Sequence, residues 1–304
     1  MTSKTVACLA GDGVGPELMA AATRALDGVA RLHGWSLDDV HLPFAGEAVT
    51  RSGHPLPPAT RAGYRNVDAI LVTSSTEPAL EGVKADLQLA WRIAGIHLGP
   101  GSDVLIAAPI GEWANGIAVE RAFTCASARR GRMLAVGDSP DFRAAIERAR
   151  VRHDGLAVEQ AGLGETLIRL RERPQSLDLI VTEAQLYTGI VDAAAHFAGT
   201  QASVAQAWLP DEGPGVFAPG SSEADDVAGL GVVDPTGMLL TASLLLAEGL
   251  ESRSSSRTLE RAVGEVETRR AGAAPRDTRS FTDAVLELLP RARTDVDHFD
   301  EVWR

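Results

Sequence analysis

The sequence predicts an α/β protein whose sheet is covered on both faces. Two observations carry this. Short, continuously apolar runs recur along the chain, as in TVACLA (5–10), DAILVTS (68–74), SDVLIAAPI (102–110) and DLIVTE (178–183). Segments of helical period lie between them. A strand without polar alternation has no face for water, so helices must flank it on both sides.

Taken in order, Thr5–Ala10 is the first strand. GDGVGPE (11–17) is a Gly-rich turn with Pro16 near the start of a helix, and Leu18–Gly34 is that helix, ended by Gly34. Asp68–Ser74 and Ser102–Ile110 are buried strands. Cys125 lies in an apolar helix-like run and reads as a core residue. Helices are predicted over 141–152 and 164–173. The strand Asp178–Glu183 then feeds a stretch, through Asp192, with one tyrosine, one threonine and one carboxylate, expected to be a site-building loop. Helices follow over 235–249, 258–270 and 280–289, and the low-complexity ESRSSSR (251–257) reads as an exposed loop. No internal repeat is present.

Composition narrows the function. The 304 residues suffice for one large or two modest domains. A formal net charge of −12 argues against nucleic acid or an anionic membrane as partner. No apolar stretch is long enough to span a bilayer, and the N-terminus lacks a signal-peptide pattern. Cys8 and Cys125 have no metal-ligand spacing and imply no disulfide framework, so a reducing cytoplasm is the simplest setting. Lys4 and Lys84 are the only lysines, and Tyr64 and Tyr187 the only tyrosines. That scarcity limits which residues can do acid–base work.

Gly11, Gly13 and Gly15 follow a strand, but G-x-G-x-G followed by Pro16 is a poor dinucleotide fingerprint. The turn gains meaning beside APGSSEADDVAGLGVVDPTGMLLTASLLL (218–246). With AGDGVGPELM, this stretch resembles the isocitrate/isopropylmalate dehydrogenase family. Asp226, Ala228, Gly229, Gly231, Pro235, Thr236 and Met238 match the family's late loop, DLIVTE its strand before the metal loop, and SFTDAVLELL its last helix. The resemblance runs the length of the chain. It implies an α/β fold of two domains that is not a Rossmann fold, with the active site in a cleft between them. The large nucleotide-side domain would comprise 1–98 and 218–304, and the central, dimerising domain 99–217. A homodimer is implied, with both subunits contributing to each cleft.

The same resemblance shows what has changed. The family's metal loop carries two aspartates four residues apart, and here the positions are Thr188 and Asp192. The partner's aspartate would fall near Leu163. One carboxylate makes a poor site for an octahedral cation, so no metal is expected. The carboxylate-clamping arginines would fall at Gln88, Leu98 and about Ala107, and Arg92, off that register, reads as a surface helix residue. The tyrosine acid would lie near Trp113 and Ala114, and the lysine base near Asp138. On the nucleotide side Asp226 occupies the position for the ribose hydroxyls of NAD, while Ser221 and Asp234 replace a histidine and an asparagine.

The expected reading is a repurposed, metal-free, non-redox enzyme of hydrolase or lyase type. Its ligand would be NAD-related or nucleoside-like, and its catalytic carboxylates Asp138, Asp192 and Glu112. Asp226, Gly229, Gly231, Asp234, Gly11 and Gly13 would hold the nucleotide. Two alternatives stand beside it: an NAD-dependent dehydrogenase for an unusual, non-dicarboxylate substrate, and a non-catalytic regulatory or partner subunit. His196, four residues after Asp192, reads as a satisfied helix-face histidine.

Overall fold

A computed structural model describes residues 2–74, 76–98, 103–111, 116–199, 204–220, 225–269 and 277–302. The chain folds into two compact units. One comprises Met1–Leu87, Ala205–Ala207 and Glu212–Arg304, the other Gln88–Val204 and Trp208–Asp211.

In the first unit, β1 (Ser3–Leu9), β2 (Ser36–His41), β3 (Ala69–Val72) and β10 (Gly215–Pro219) are parallel in the order β2-β1-β3-β10. Helix α1 (Gly15–His33) buries Leu18, Met19, Ala22, Leu26 and Val29 and ends on Gly34 in the left-handed conformation. It packs against α9 (Thr236–Leu244), α10 (Arg253–Arg269) and α11 (Thr278–Val302). α2 (Ala45–Ser52), α3 (Pro58–Gly63) and α4 (Pro78–Asp86) complete this part of the chain.

Two expectations fail in this unit. The helix predicted over 235–249 is α-helical only to Leu244, and residues Leu245–Gly249 form a π turn. The ESRSSSR stretch is not an exposed loop: α10 begins at Arg253, and Ser255 and Ser256 are buried. Their hydrogen-bonding groups find partners. Ser243 Oγ donates to Ser256 O at 3.0 Å, and Trp35 Nε1 donates to Ser255 Oγ at 3.4 Å. Satisfied in this way, serine can be buried.

In the second unit the strands are β4 (Leu89–His97), β5 (Asp103–Pro109), β6 (Arg132–Val136), β7 (Ala157–Ala161) and β8 (Leu179–Thr182), in the order β4-β5-β8-β6-β7. β4 runs antiparallel to β5, and the others are parallel. The helices are α5 (Ile117–Ser127), α6 (Pro140–Arg152), α7 (Leu163–Glu172) and α8 (Ala184–Ala198). β9 (Val204–Pro210) has residues in both units.

Alternate residues of β4 and β5 face opposite helices. Ala94, Ile96, Val104, Ile106 and Ala108 share a core with Tyr187, Ile190 and Ala194 of α8. Arg92 lies opposite Ala108 in the ladder, so it continues the stripe facing α8. Arg92 is therefore a half-buried strand residue, not a surface helix residue. The run Trp91–Ile96 reads helically only if its small residues are taken as helix formers, and the ladder to β5 decides otherwise.

The stretch after Thr182 is likewise not a loop. α8 starts at Ala184, directly after the strand. Among the described residues, no helix is long and apolar enough to cross a membrane.

Candidate functional site

Two groups of predicted residues lie in different units. The nucleotide-side group belongs to the first. Gly11 (φ 65°) and Gly13 (φ 58°) turn the chain from β1 into α1. Gly229 (φ 75°) and Gly231 (φ 69°) turn the late loop, and among the described residues nothing lies within 4 Å of where a Cβ would project at either. The backbone there is open to a close approach. Asp226 is exposed on a short 3-10 turn, Asp225–Val227.

This loop is fastened on two sides. Gly231 N–H donates to Glu17 Oε2 at 3.1 Å, which joins it to the first turn of α1. Thr278 N–H donates to Gly231 O at 2.8 Å, which joins it to the start of α11. Asp234, expected beside the nucleotide, has its Oδ1 engaged locally. That oxygen accepts from Thr236 N–H at 3.0 Å and from Thr236 Oγ at 2.6 Å, an Asx-type turn leading into α9. Glu17 does not stand out in the sequence. A carboxylate in a helix first turn is common, and its partner lies 214 residues on.

In the second unit Asp138 lies at the carboxyl end of β6, on the side where open α/β sheets bind ligands, while Asp192 lies farther along α8. Asp138 follows β6, is exposed and pairs with Arg143 at 2.8 Å. Its neighbour is Glu183, which follows β8 and is 4% exposed. Glu183 accepts from the backbone N–H of Asp138 (3.2 Å) and Ser139 (3.1 Å), so a buried carboxylate ties the two strand ends. Gly137 is needed for this approach: a Cβ there would lie 2.6 Å from Glu183 Cγ. The available signal for Glu183 is its position in DLIVTE, straight after a buried strand.

Asp192 and Thr188 are exposed one turn apart on α8, with His196 a further turn on. Leu163, where a third carboxylate would stand, is an exposed leucine at the start of α7. Among the described residues, no group of three or more His, Cys, Asp or Glu side chains is placed to hold a metal ion. A hard, six-coordinate cation does not fit this donor set. Glu112, Trp113, Ala114 and Ser221 lie outside the described residues.

The group at this edge that the sequence conceals is Arg92. Its Nη2 donates to Ala184 O at 2.8 Å, and its guanidinium carbon lies 4.1 Å from the Tyr187 ring centroid. Its Nε is buried with no partner. Burial lowers its pKa, partly countered by Tyr187. Burial also pushes the Tyr187 phenol upward, so the ring beneath the guanidinium stays neutral.

Comparison with known proteins bears on this geometry. A family model described as isocitrate/isopropylmalate dehydrogenase matches residues 5–90. The chain is 26% identical to the 3-isopropylmalate dehydrogenase of Synechococcus sp. (strain CC9605), covering 88% of this chain and 91% of that one. It is also 26% identical to that of Anaeromyxobacter dehalogenans (strain 2CP-C), covering 95% and 100%. Among solved structures, isocitrate dehydrogenase from Methylococcus capsulatus superposes with a TM-score of 0.76 at 20% identity, covering 95% and 100%. A beta-decarboxylating dehydrogenase from Thermococcus kodakarensis gives 0.75 at 22% identity, covering 100% and 99%. These structures show that the fold is shared. The relatives overturn the expectation of a non-redox hydrolase or lyase: at near full-length coverage they are named as dehydrogenases.

Proposed function

Because the chain belongs to the isocitrate/isopropylmalate dehydrogenase family, we propose that it is an NAD-dependent dehydrogenase whose hydroxy-acid substrate lacks the family's full set of carboxylates. The observation that carries this is the nucleotide-side loop. Among the described residues, nothing crowds Gly229 and Gly231 where a side chain would project, and Glu17 and Thr278 fasten the loop.

When bound, NAD supplies the hydride acceptor. The chain's own residues do the rest. Asp226 is placed as acceptor for ribose hydroxyls, and a carboxylate there disfavours a 2′-phosphate. Oxidation of a hydroxyl needs a base for its proton. Asp138, exposed at the end of β6 with its Oδ1 held by Arg143, is the carboxylate offered for that role. No step is assigned to a metal ion, since Asp192 has neither Thr188 nor Leu163 as a charged companion.

We further propose a homodimer through the second unit. Ile168 on α7 and Phe197 on α8 are exposed apolar side chains there, 54% and 38% accessible. Light scattering at micromolar concentration tests it, and a monomer removes the claim.

The dehydrogenase reading is tested by absorbance in the reduced-nicotinamide band, with NAD and NADP against a panel of 2-hydroxy mono- and dicarboxylates. Reduction of NAD with at least one hydroxy acid is expected. Failure with every member, together with no melting-point shift from either nucleotide, sinks it.

A further inference from the structure

The two ends of the strands in the second unit treat their arginines in opposite ways. At the amino ends, Arg129 and Arg130 precede β6 and are neutralised. Arg129 Nε donates to Asp178 Oδ1 at 2.8 Å and its Nη2 to Asp103. Arg130 N–H donates to Asp178 Oδ2 at 2.9 Å, and its guanidinium lies 3.4 Å from Asp103 and 3.2 Å from Asp178. These charges are matched within the fold and serve structure.

At the carboxyl ends, Arg92 is half-buried and no carboxylate pairs with it among the described residues. Its contacts are a neutral carbonyl, Ala184 O, and the face of a neutral ring, Tyr187. Its Nε–H has no acceptor although it is buried. A desolvated cation without a counter-charge and with an unmade hydrogen bond is poorly accounted for by folding alone. An anion supplies the missing counter-charge, and a carboxylate matches the guanidinium in charge and hydrogen-bonding geometry. The other half-buried arginine bordering β4, Arg121, stands over Trp91 on the opposite face and donates to Asp211 O at 2.6 Å. Among the described residues, the α8 face of β4 therefore presents one such cation.

We propose that Arg92 is a specificity-determining anchor for a single carboxylate, so that the preferred substrates are 2-hydroxy monocarboxylates. This rests on the dehydrogenase reading for the word substrate, but the anion site stands on Arg92 itself. The carboxylate pairs with the guanidinium at the carboxyl ends of β5 and β8. Tyr187 supports the cation from below, and the Ala184 carbonyl holds its orientation.

The test is direct binding, followed by arginine Nε–Hε correlations in NMR spectra and by thermal shift. The probes are 2-hydroxyisovalerate, malate and the uncharged 2-hydroxyisovaleramide. One arginine signal, missing in Arg92→Lys, is expected to shift saturably with 2-hydroxyisovalerate and not with the amide. Malate should bind about tenfold more weakly or worse, and Arg92→Lys, which keeps the charge but loses the fork, should lose about tenfold in affinity. If no arginine signal of the folded wild type responds to either acid, Arg92 is a structural tether and the proposal falls. If malate binds as tightly, the monocarboxylate preference falls. If 2-hydroxyisovalerate binds through Arg92 yet no hydroxy acid reduces NAD, the anion site stands and the dehydrogenase reading fails.

Discussion

Glu17 accepts the backbone N–H of Gly231 at 3.1 Å, so the first helix of the chain holds a loop 214 residues away. Its other oxygen, Oε1, is buried without a partner. One carboxylate thus sets the position of the turn proposed to contact the nucleotide. Glu17→Ala should raise the dissociation constant for NAD by about tenfold or more, since a hydrogen bond to a charged group contributes about 1.5–3 kcal/mol. Glu17→Gln keeps an acceptor oxygen and should stay near wild type. Calorimetry on the three proteins checks this. Equal affinities for all three would mean that the loop is held without Glu17 or does not touch nucleotide.

Asp226 is exposed and outside any packed core, so its removal should leave folding alone. Asp226→Ala should still weaken NAD binding by about tenfold or more, corresponding to about 1.5–3 kcal/mol for a charged acceptor of ribose hydroxyls. The same titration with NADP is the control. If Asp226→Ala binds NAD as wild type does, this carboxylate is a surface charge and the loop reads ribose by other groups.

The ion cluster at the amino ends of the strands predicts an acid limb in stability. Burial alone would raise the pKa of Asp103, but Arg129 and Arg130 outweigh it and hold the carboxyl below its usual range. Burial likewise opposes charge on Arg129, and Asp103 with Asp178 overcomes it. A carboxyl with a lowered folded pKa contributes stability that is fully present above its unfolded value, about 3.9, and is lost as pH falls through the folded value. The melting temperature should therefore drop steeply below about pH 4. Asp103→Asn should flatten that drop. Asp178→Ala leaves the buried Arg129 short of a counter-charge and should cost about 3–5 kcal/mol at neutral pH. An unchanged acid limb in Asp103→Asn, read by calorimetric melting from about pH 3 to 7, a window that brackets the carboxylate range, would contradict the assignment.

How far the sequence can be read depends on range. Buried strands such as Ala69–Val72 and Leu179–Thr182 announce themselves locally, because four successive apolar or β-branched residues between polar flanks have few alternatives. β2, with the sequence SLDDVH, does not, since its place beside β1 depends on pairing and not on composition. Arg92 is illegible for the same reason. Its meaning comes from a cross-strand neighbour, Ala108, and from Tyr187 on a later helix. The serines of ESRSSSR read as solvated because their partners, Ser243 and Trp35, lie outside the stretch. Resemblance locates the positions that have lost clamps and metal ligands, but it offers no view of a new residue at an old edge.

Metal independence is the prediction that separates this chain most sharply from what its family resemblance implies. Asp192 and Thr188 sit one helical turn apart on the exposed face of α8, and Leu163 stands where a further carboxylate would be needed. Mg²⁺ and Mn²⁺ dehydrate reluctantly and are held by clustered carboxylates, so one aspartate and a hydroxyl make a weak site. Millimolar Mg²⁺ or Mn²⁺ should leave the melting temperature of the wild type within about 1 °C, since a ligand far below its dissociation constant adds little stability. Turnover of any hydroxy acid that reduces NAD should be unchanged by a chelator. Thr188→Asp restores two carboxylates at i and i+4, which share a helix face, and should introduce a Mn²⁺-dependent rise in melting temperature. The same rise in the wild type, abolished by Asp192→Ala, would show that Asp192 recruits enough oxygens from elsewhere to hold the ion, and the metal-free reading would be wrong.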